Sequence, residues 1–203
     1  MPESEYDPFE QGAFDFIEYT VKPIIEEQGR IWREEEIKVP CFSPIEINGL
    51  AYTYEIADYR YLLEEGVFEN DIAVRCDGDI VYQNSVCGKS VDYLVYAFFS
   101  WENRWIMEYW NHVVIDGIEF NDILGYEKIF CYRIVDGRIF YFYERNSKVY
   151  ISFDGITQSN QYDYVAHYYC CEPFVLNPEH HESYISFFAI RNGYWYYVEA
   201  GVI

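Results

Sequence analysis

Apolar positions near the start of the chain fall at helical spacing: Phe9, Ala13, Phe14, Ile17, Val21 and Ile24 recur three or four residues apart. Glu10, Asp15, Glu18 and Glu26 lie on the opposite side. Asp7-Pro8-Phe9-Glu10 supplies a matching start, with Asp at the cap, Pro at the first helical position and Glu reaching back to the cap. Pro23 removes a backbone donor and should kink or end the helix near Lys22. A second, more polar helical piece is expected from Glu26 to Glu36, closed by Pro40 and Pro44. Residues 1–44 are thus predicted to be an N-terminal amphipathic helical segment packed on a larger body.

From Ile45 the period moves from 3.6 towards 2. Ile139-Phe140-Tyr141-Phe142-Tyr143 and Tyr194-Trp195-Tyr196-Tyr197-Val198 are nearly pure strand formers. They follow Asp136-Gly137 and Asn192-Gly193, pairs that supply the positive φ of tight hairpins. Asn48-Gly49 precedes another such run, and Glu102-Asn103 does so more loosely. A short helix over Asp58 to Glu65, stopped by Gly66, interrupts the pattern. The expected fold is mainly β: an antiparallel meander over 45–203.

Asp-Gly recurs at Asp77, Asp116 and Asp154, 39 and 38 residues apart. Each pair follows a short apolar strand and precedes an acidic-aromatic one, which suggests three to four hairpin or blade-like repeats. The stretch from Asn146 to Val165, with Lys148-Val149-Tyr150-Ile151, Asp154-Gly155 and Tyr162-Asp163-Tyr164-Val165, resembles the WG-type β-hairpin repeat proteins. The Trp-Gly pair of that family is absent. The resemblance implies an interaction module without chemistry of its own.

Composition narrows the classes. The 203 residues carry 35 Asp and Glu against 14 Lys and Arg, a net charge of −21, with 23 Tyr, 15 Phe and 5 Trp. That apolar content excludes a disordered acidic chain. The charge argues against direct contact with nucleic acid or an anionic membrane, since both need basic patches. The first residues lack the apolar stretch of an export signal, and no lipidation motif is seen. The six cysteines are irregularly spaced, so a cytoplasmic protein with free core thiols is expected. Strands this aromatic need covered or charged edges, which the N-terminal helix or a homodimer would provide.

The third unit is irregular: an inserted loop at about 170–185 holds Cys170, Cys171, His180, His181 and Glu182, the candidate metal ligands. Neither His-Glu-x-x-His nor paired Cys-x-x-Cys spacing accompanies them, and the simpler expectation is a solvated capping loop. A Cys170 or Cys171 nucleophile with His167 is weaker still, a half-buried packing histidine being the simpler account of His167. Trp101, Trp105 and Trp110 have the chemistry to stack on sugars, but packing of the sheet explains them more simply. No serine elbow or phosphate loop occurs. No catalytic residue and no cofactor is therefore assigned.

Three functions of different class follow. The leading one is a non-catalytic, acidic protein–protein interaction module with a basic partner, bound through Glu10, Asp15, Glu18, Glu26, Glu64, Glu65 and Glu69. The second is an acidic nucleic-acid mimic that inhibits a nucleic-acid-binding protein. The third is a metal- or carbohydrate-binding protein or hydrolase using the 170–183 loop. Competition by nucleic acid separates the first two, and metal content tests the third.

Overall fold

Turn chemistry sets the strands. Asp77, Asp116, Asp136, Asp154 and Asn192 take φ between 49° and 53°, and the glycine after each takes φ between 68° and 96°. Two successive positive φ values make the type I′ turn, whose twist matches that of the strands it joins. The computed structural model describes residues 14–21, 44–62, 67–88, 95–167 and 177–202, with side chains left aside at 57–62, 67–70 and 87–88.

The chain enters as β1 (Phe14–Val21) and then builds four antiparallel sheets in sequence order. The first comprises β2 (Ile45–Ile47), β3 (Leu50–Leu62), β4 (Val67–Cys76) and β5 (Asp79–Gly88). The second comprises β6 (Val95–Trp101), β7 (Arg104–Tyr109), β8 (His112–Ile115) and β9 (Ile118–Glu119), followed by the short helix α1 (Phe120–Leu124). The third comprises β10 (Lys128–Val135), β11 (Arg138–Arg145), β12 (Lys148–Phe153) and β13 (Ile156–Tyr162). In the last, β14 (Tyr164–Val165) and β15 (Glu179–His180) both pair with β16 (Tyr184–Arg191), which pairs with β17 (Tyr194–Val202). β1 completes it, pairing with β17 from Phe14↔Val202 to Val21↔Trp195.

Three apolar clusters join these sheets in succession. Ile72, Val74 and Val86 of the first meet Phe98, Trp105 and Met107 of the second. Ile106, Val113 and Ile115 of the second meet Ile129, Tyr132 and Tyr141 of the third. Phe130, Phe140 and Phe142 of the third meet Ile185, Phe187 and Val198 of the last. Side chains alternate across a strand, so each middle sheet gives one set to each neighbour. Burying both faces requires uninterrupted apolar runs, which is why Val113-Val114-Ile115 and Ile139 to Tyr143 look as they do.

The Asp-Gly spacing marks the turn between the third and fourth strands of the first three sheets. In each, the turn Asp N–H donates to a carbonyl near the start of the second strand: Asp77 to Ala51, Asp116 to Trp105 and Asp154 to Ile139. Asp77 and Asp116 also accept the N–H of that same residue on Oδ1, at 2.9 and 3.0 Å. Asn192-Gly193, 38 residues beyond Asp154-Gly155, turns the last sheet with the same pair of positive φ values, its Asn192 N–H donating to the Asp163 carboxylate at 2.7 Å. Asp116→Ala loses both the acceptor and a residue tolerant of positive φ, and is expected to lower stability by about 1–2 kcal/mol. Asp116→Asn keeps both and should cost less; equal urea midpoints for the two variants would refute this account of the turn.

Two sequence expectations are corrected. Residues 14–21 are a strand, not part of an amphipathic helix, because both faces of β1 carry apolar residues. Phe14 and Phe16 pack on the third sheet while Ile17, Tyr19 and Val21 lie on the other face, so helical and strand spacings fit equally and the ladder with β17 decides. The expected helix over 58–65 is also absent as far as Leu62, since β3 continues straight through it. The helix start at Asp7 and the polar piece over 26–36 lie outside the described residues. Among those residues no helix is long and apolar enough to cross a membrane.

Candidate functional site

Among the described residues, the first and last sheets each bury one face against a neighbouring sheet, and the two outer faces differ in chemistry. On the first sheet Thr53, Glu55, Asp71, Arg75, Gln83 and Ser85 alternate with the core positions. Glu55 pairs with Arg75 at 2.7 Å, and Ser85 donates to Asp71. A polar outer face of this kind is the pattern that terminal units of stacked repeats carry.

The outer face of the last sheet is aromatic. Cross-strand register places Tyr19, Tyr197 and Phe188 in one row, and Val21, Trp195, Ile190 and Tyr164 in the next. Tyr19 and Tyr197 stack with centroids 6.3 Å apart, Phe188 lies 5.3 Å from Tyr197, and Tyr164 meets Trp195 edge-on at 6.4 Å. Tyr19 is 53% exposed and the rest of the two rows is half-buried.

Carboxylates interleave them. Glu199 faces Ile17 on one side and Ser186 on the other, Glu179 lies beyond Ser186, and Asp15 faces Gly201. The Tyr197 hydroxyl donates to Glu199 Oε1 at 3.1 Å. Burial, helped by Glu199, holds the Tyr197 phenol above its ordinary value. Among the described residues of this face there is no Lys or Arg. A side chain at Gly201 would collide with the backbone of Ser183 and Tyr184, so close strand approach fixes the sheet at this edge. The cleft beside Ser186, Phe188 and Tyr197 holds about 80 Å³, far below the few hundred Å³ of a usual small-ligand pocket. The surface is therefore suited to a docked chain rather than an enclosed metabolite.

The inner face of the same sheet has parallel chemistry already filled. Arg191 sits over the rings of Tyr196 and Tyr162, at 4.6 and 5.6 Å, and bonds both carboxylate oxygens of Glu18. Tyr162 and Asn160 also donate to Glu18. Burial opposes ionisation of Glu18, but Arg191, Tyr162 and Asn160 outweigh it and hold the carboxyl below its ordinary value.

Of the acidic residues expected to meet a partner, Asp15 lies on the outer face and Glu18 is held inward by Arg191. Glu10, Glu26, Glu64 and Glu65 lie outside the described residues, as does the side chain of Glu69. Of the loop residues, the two histidines point apart. His180 reaches the Ile134 carbonyl of β10 at 2.7 Å, whereas His181 stacks on Tyr184 at 4.1 Å and approaches Ser186. Cys170 and Cys171 lie outside the described residues, among which no metal-binding cluster occurs. His167 is stacked on Phe130 at 3.8 Å and bonded to Val165 O and Asn111, and burial pushes its imidazole below the ordinary value. Trp105 is in the core, while Trp101 and Trp110 pack on separate clusters, so the three form no common platform. Cys76 and Cys131 are free thiols, and burial pushes Cys131 up to about 12.

A second polar group bridges the first two sheets. Glu119 accepts from the Tyr82 hydroxyl and from Tyr109 at 2.6 Å, and lies 3.7 Å from His112. Burial raises both phenols, and Glu119 raises them further. The group ties the first two sheets together.

Sequence reasoning located the last strand's aromatic run but not its consequence. Tyr194 to Val198 is apolar on both faces, a pattern that belongs to doubly covered strands, yet it closes the stack. No protein-family model, curated protein or solved structure matches the chain.

Proposed function

We propose that this protein is a non-catalytic interaction module that binds a basic partner protein on the outer face of its last sheet. One observation supports the reading above others: an end sheet whose open face carries aromatic rows and carboxylates, with His181 beside Glu179 but no described Lys or Arg. Aromatic residues supply contact area at interfaces, and carboxylates without counter-charges attract cations. The net charge of −21 steers a basic partner towards the whole molecule. The WG-type resemblance points the same way.

Titration with a basic peptide and an acidic peptide of equal length, read by tryptophan fluorescence at two salt concentrations, tests this. The basic peptide alone should bind, about 10-fold more weakly when salt rises several-fold. Binding of neither, or of both equally, refutes the proposal. Displacement of the natural partner by nucleic acid would favour the mimic instead.

A further inference from the structure

We propose that the outer face of the last sheet seats an arginine side chain of the partner, over Tyr197 and Tyr19 and paired with Glu199; this rests on the interaction reading above. Arg191 lies over Tyr196 and Tyr162 and pairs with Glu18, and Arg138 lies 4.4 Å over Phe153. Arg75 and Arg104 form surface ion pairs with Glu55 and Asp116, as the described lysines do, Lys128 with Glu144 and Lys148 with Asp163; these ring contacts belong to arginine. Arginine, with its planar and weakly hydrated guanidinium, is the cation that stacks on rings while keeping two donors for a carboxylate.

Tyr196 and Tyr197 are consecutive on β17, so their rings project to opposite faces. The inner ring has its arginine and its Glu18. The outer ring has a second tyrosine, Tyr19, across the ladder and Glu199 two residues along the same strand. Among the described residues the outer face carries no guanidinium. A second copy of this chain fits poorly there, since pairing two such faces would oppose Glu199, Glu179 and Asp15 with their own counterparts. An arginine-bearing segment satisfies rings and carboxylate together.

The test uses the full chain with acetyl-Gly-Arg-Gly-Arg-Gly-amide and its lysine counterpart. The arginine peptide should bind about 5-fold tighter than the lysine peptide. Glu199→Gln should weaken the arginine peptide about 5–10-fold, and Tyr197→Leu by a similar factor. Tyr197→Phe keeps the ring and should stay within about 2-fold, and Glu55→Gln on the first sheet should change nothing. Far-ultraviolet circular dichroism checks folding, and Glu199→Gln decides if Tyr197→Leu fails to fold. Equal binding of the two peptides, or an unchanged Glu199→Gln, overturns the arginine seat while leaving a basic-partner module standing. If neither peptide binds, both proposals fall. Self-association abolished by Glu199→Gln would make a second copy the occupant and overturn the seat.

Discussion

Glu108→Ala is expected to cost about 3–5 kcal/mol of stability, enough to unfold a marginal domain. Glu108 is fully buried on β7, and its carboxylate accepts the backbone N–H groups of Cys131 and Tyr132 at 2.7 and 3.0 Å. Arg133 donates to it as well, at 2.7 Å. The two amides are exposed to it by an irregularity in β10, where the register with β11 shifts between Phe130 and Arg133 and Cys131 takes φ 52°. A non-glycine strand residue such as Cys131 is strained in that conformation, and the carboxylate of the neighbouring sheet holds the distortion in place. Alanine strands two buried donors and a guanidinium together. Glu108→Gln retains one acceptor and should cost less. Arg133→Ala should cost less again, because Arg133 is 26% exposed and solvent can replace part of its role. Urea unfolding of the three variants gives the order. If Arg133→Ala matched Glu108→Ala, the ion pair rather than the backbone amides would carry the contact.

That buried acid shows where sequence pattern stops being informative. Glu108 sits between Met107 and Tyr109 in a strand whose other buried members are apolar, and nothing local marks it as the anchor for a bulge 23 residues on. The hairpins were legible because each turn is written in two adjacent residues, and the 38-residue spacing because the turn Asp has a repeated job across the sheet. β1 was misassigned for the opposite reason. Its partner β17 lies at the far end of the chain, and Phe14, Ile17 and Val21 satisfy helical spacing while serving two faces of a sheet.

The candidate face was half legible. Tyr194 to Val198 stood out as strand, but whether such a run is doubly buried depends on its place in the stack, which periodicity does not contain. Once the sheets are ordered, the comparison is direct. The first sheet alternates polar and apolar positions and ends the stack in water, while the last keeps rings on both faces. The acidic residues singled out from the N-terminal pattern divide accordingly, with Asp15 on the open face and Glu18 neutralised within.

Alkaline unfolding should be abrupt, beginning above pH 10 and finishing between about pH 11 and 12. Tyr109, Tyr132 and Tyr162 are each at most 1% exposed. Burial is the main cause that lifts all three phenols well above their ordinary value of 10.0, with Glu119 adding to it for Tyr109, Tyr141 for Tyr132 and Glu18 for Tyr162. A folded pKa above the unfolded one stabilises the native state fully below pH 10, because both states are then neutral. Above pH 10 the unfolded chain ionises and the folded one does not, so stability falls as pH rises. Each phenol removes about 1.4 kcal/mol per pH unit, and the three together about 4 kcal/mol per unit. A stability of 5–15 kcal/mol is largely consumed within two units. Tyrosinate absorbance and circular dichroism should therefore change together in one cooperative step. Tyr132→Phe removes one ionising group and should move the midpoint upward. A gradual titration of all 23 tyrosines near pH 10 with the fold retained would mean that these rings reach water, and that the inter-sheet cores are not closed around them.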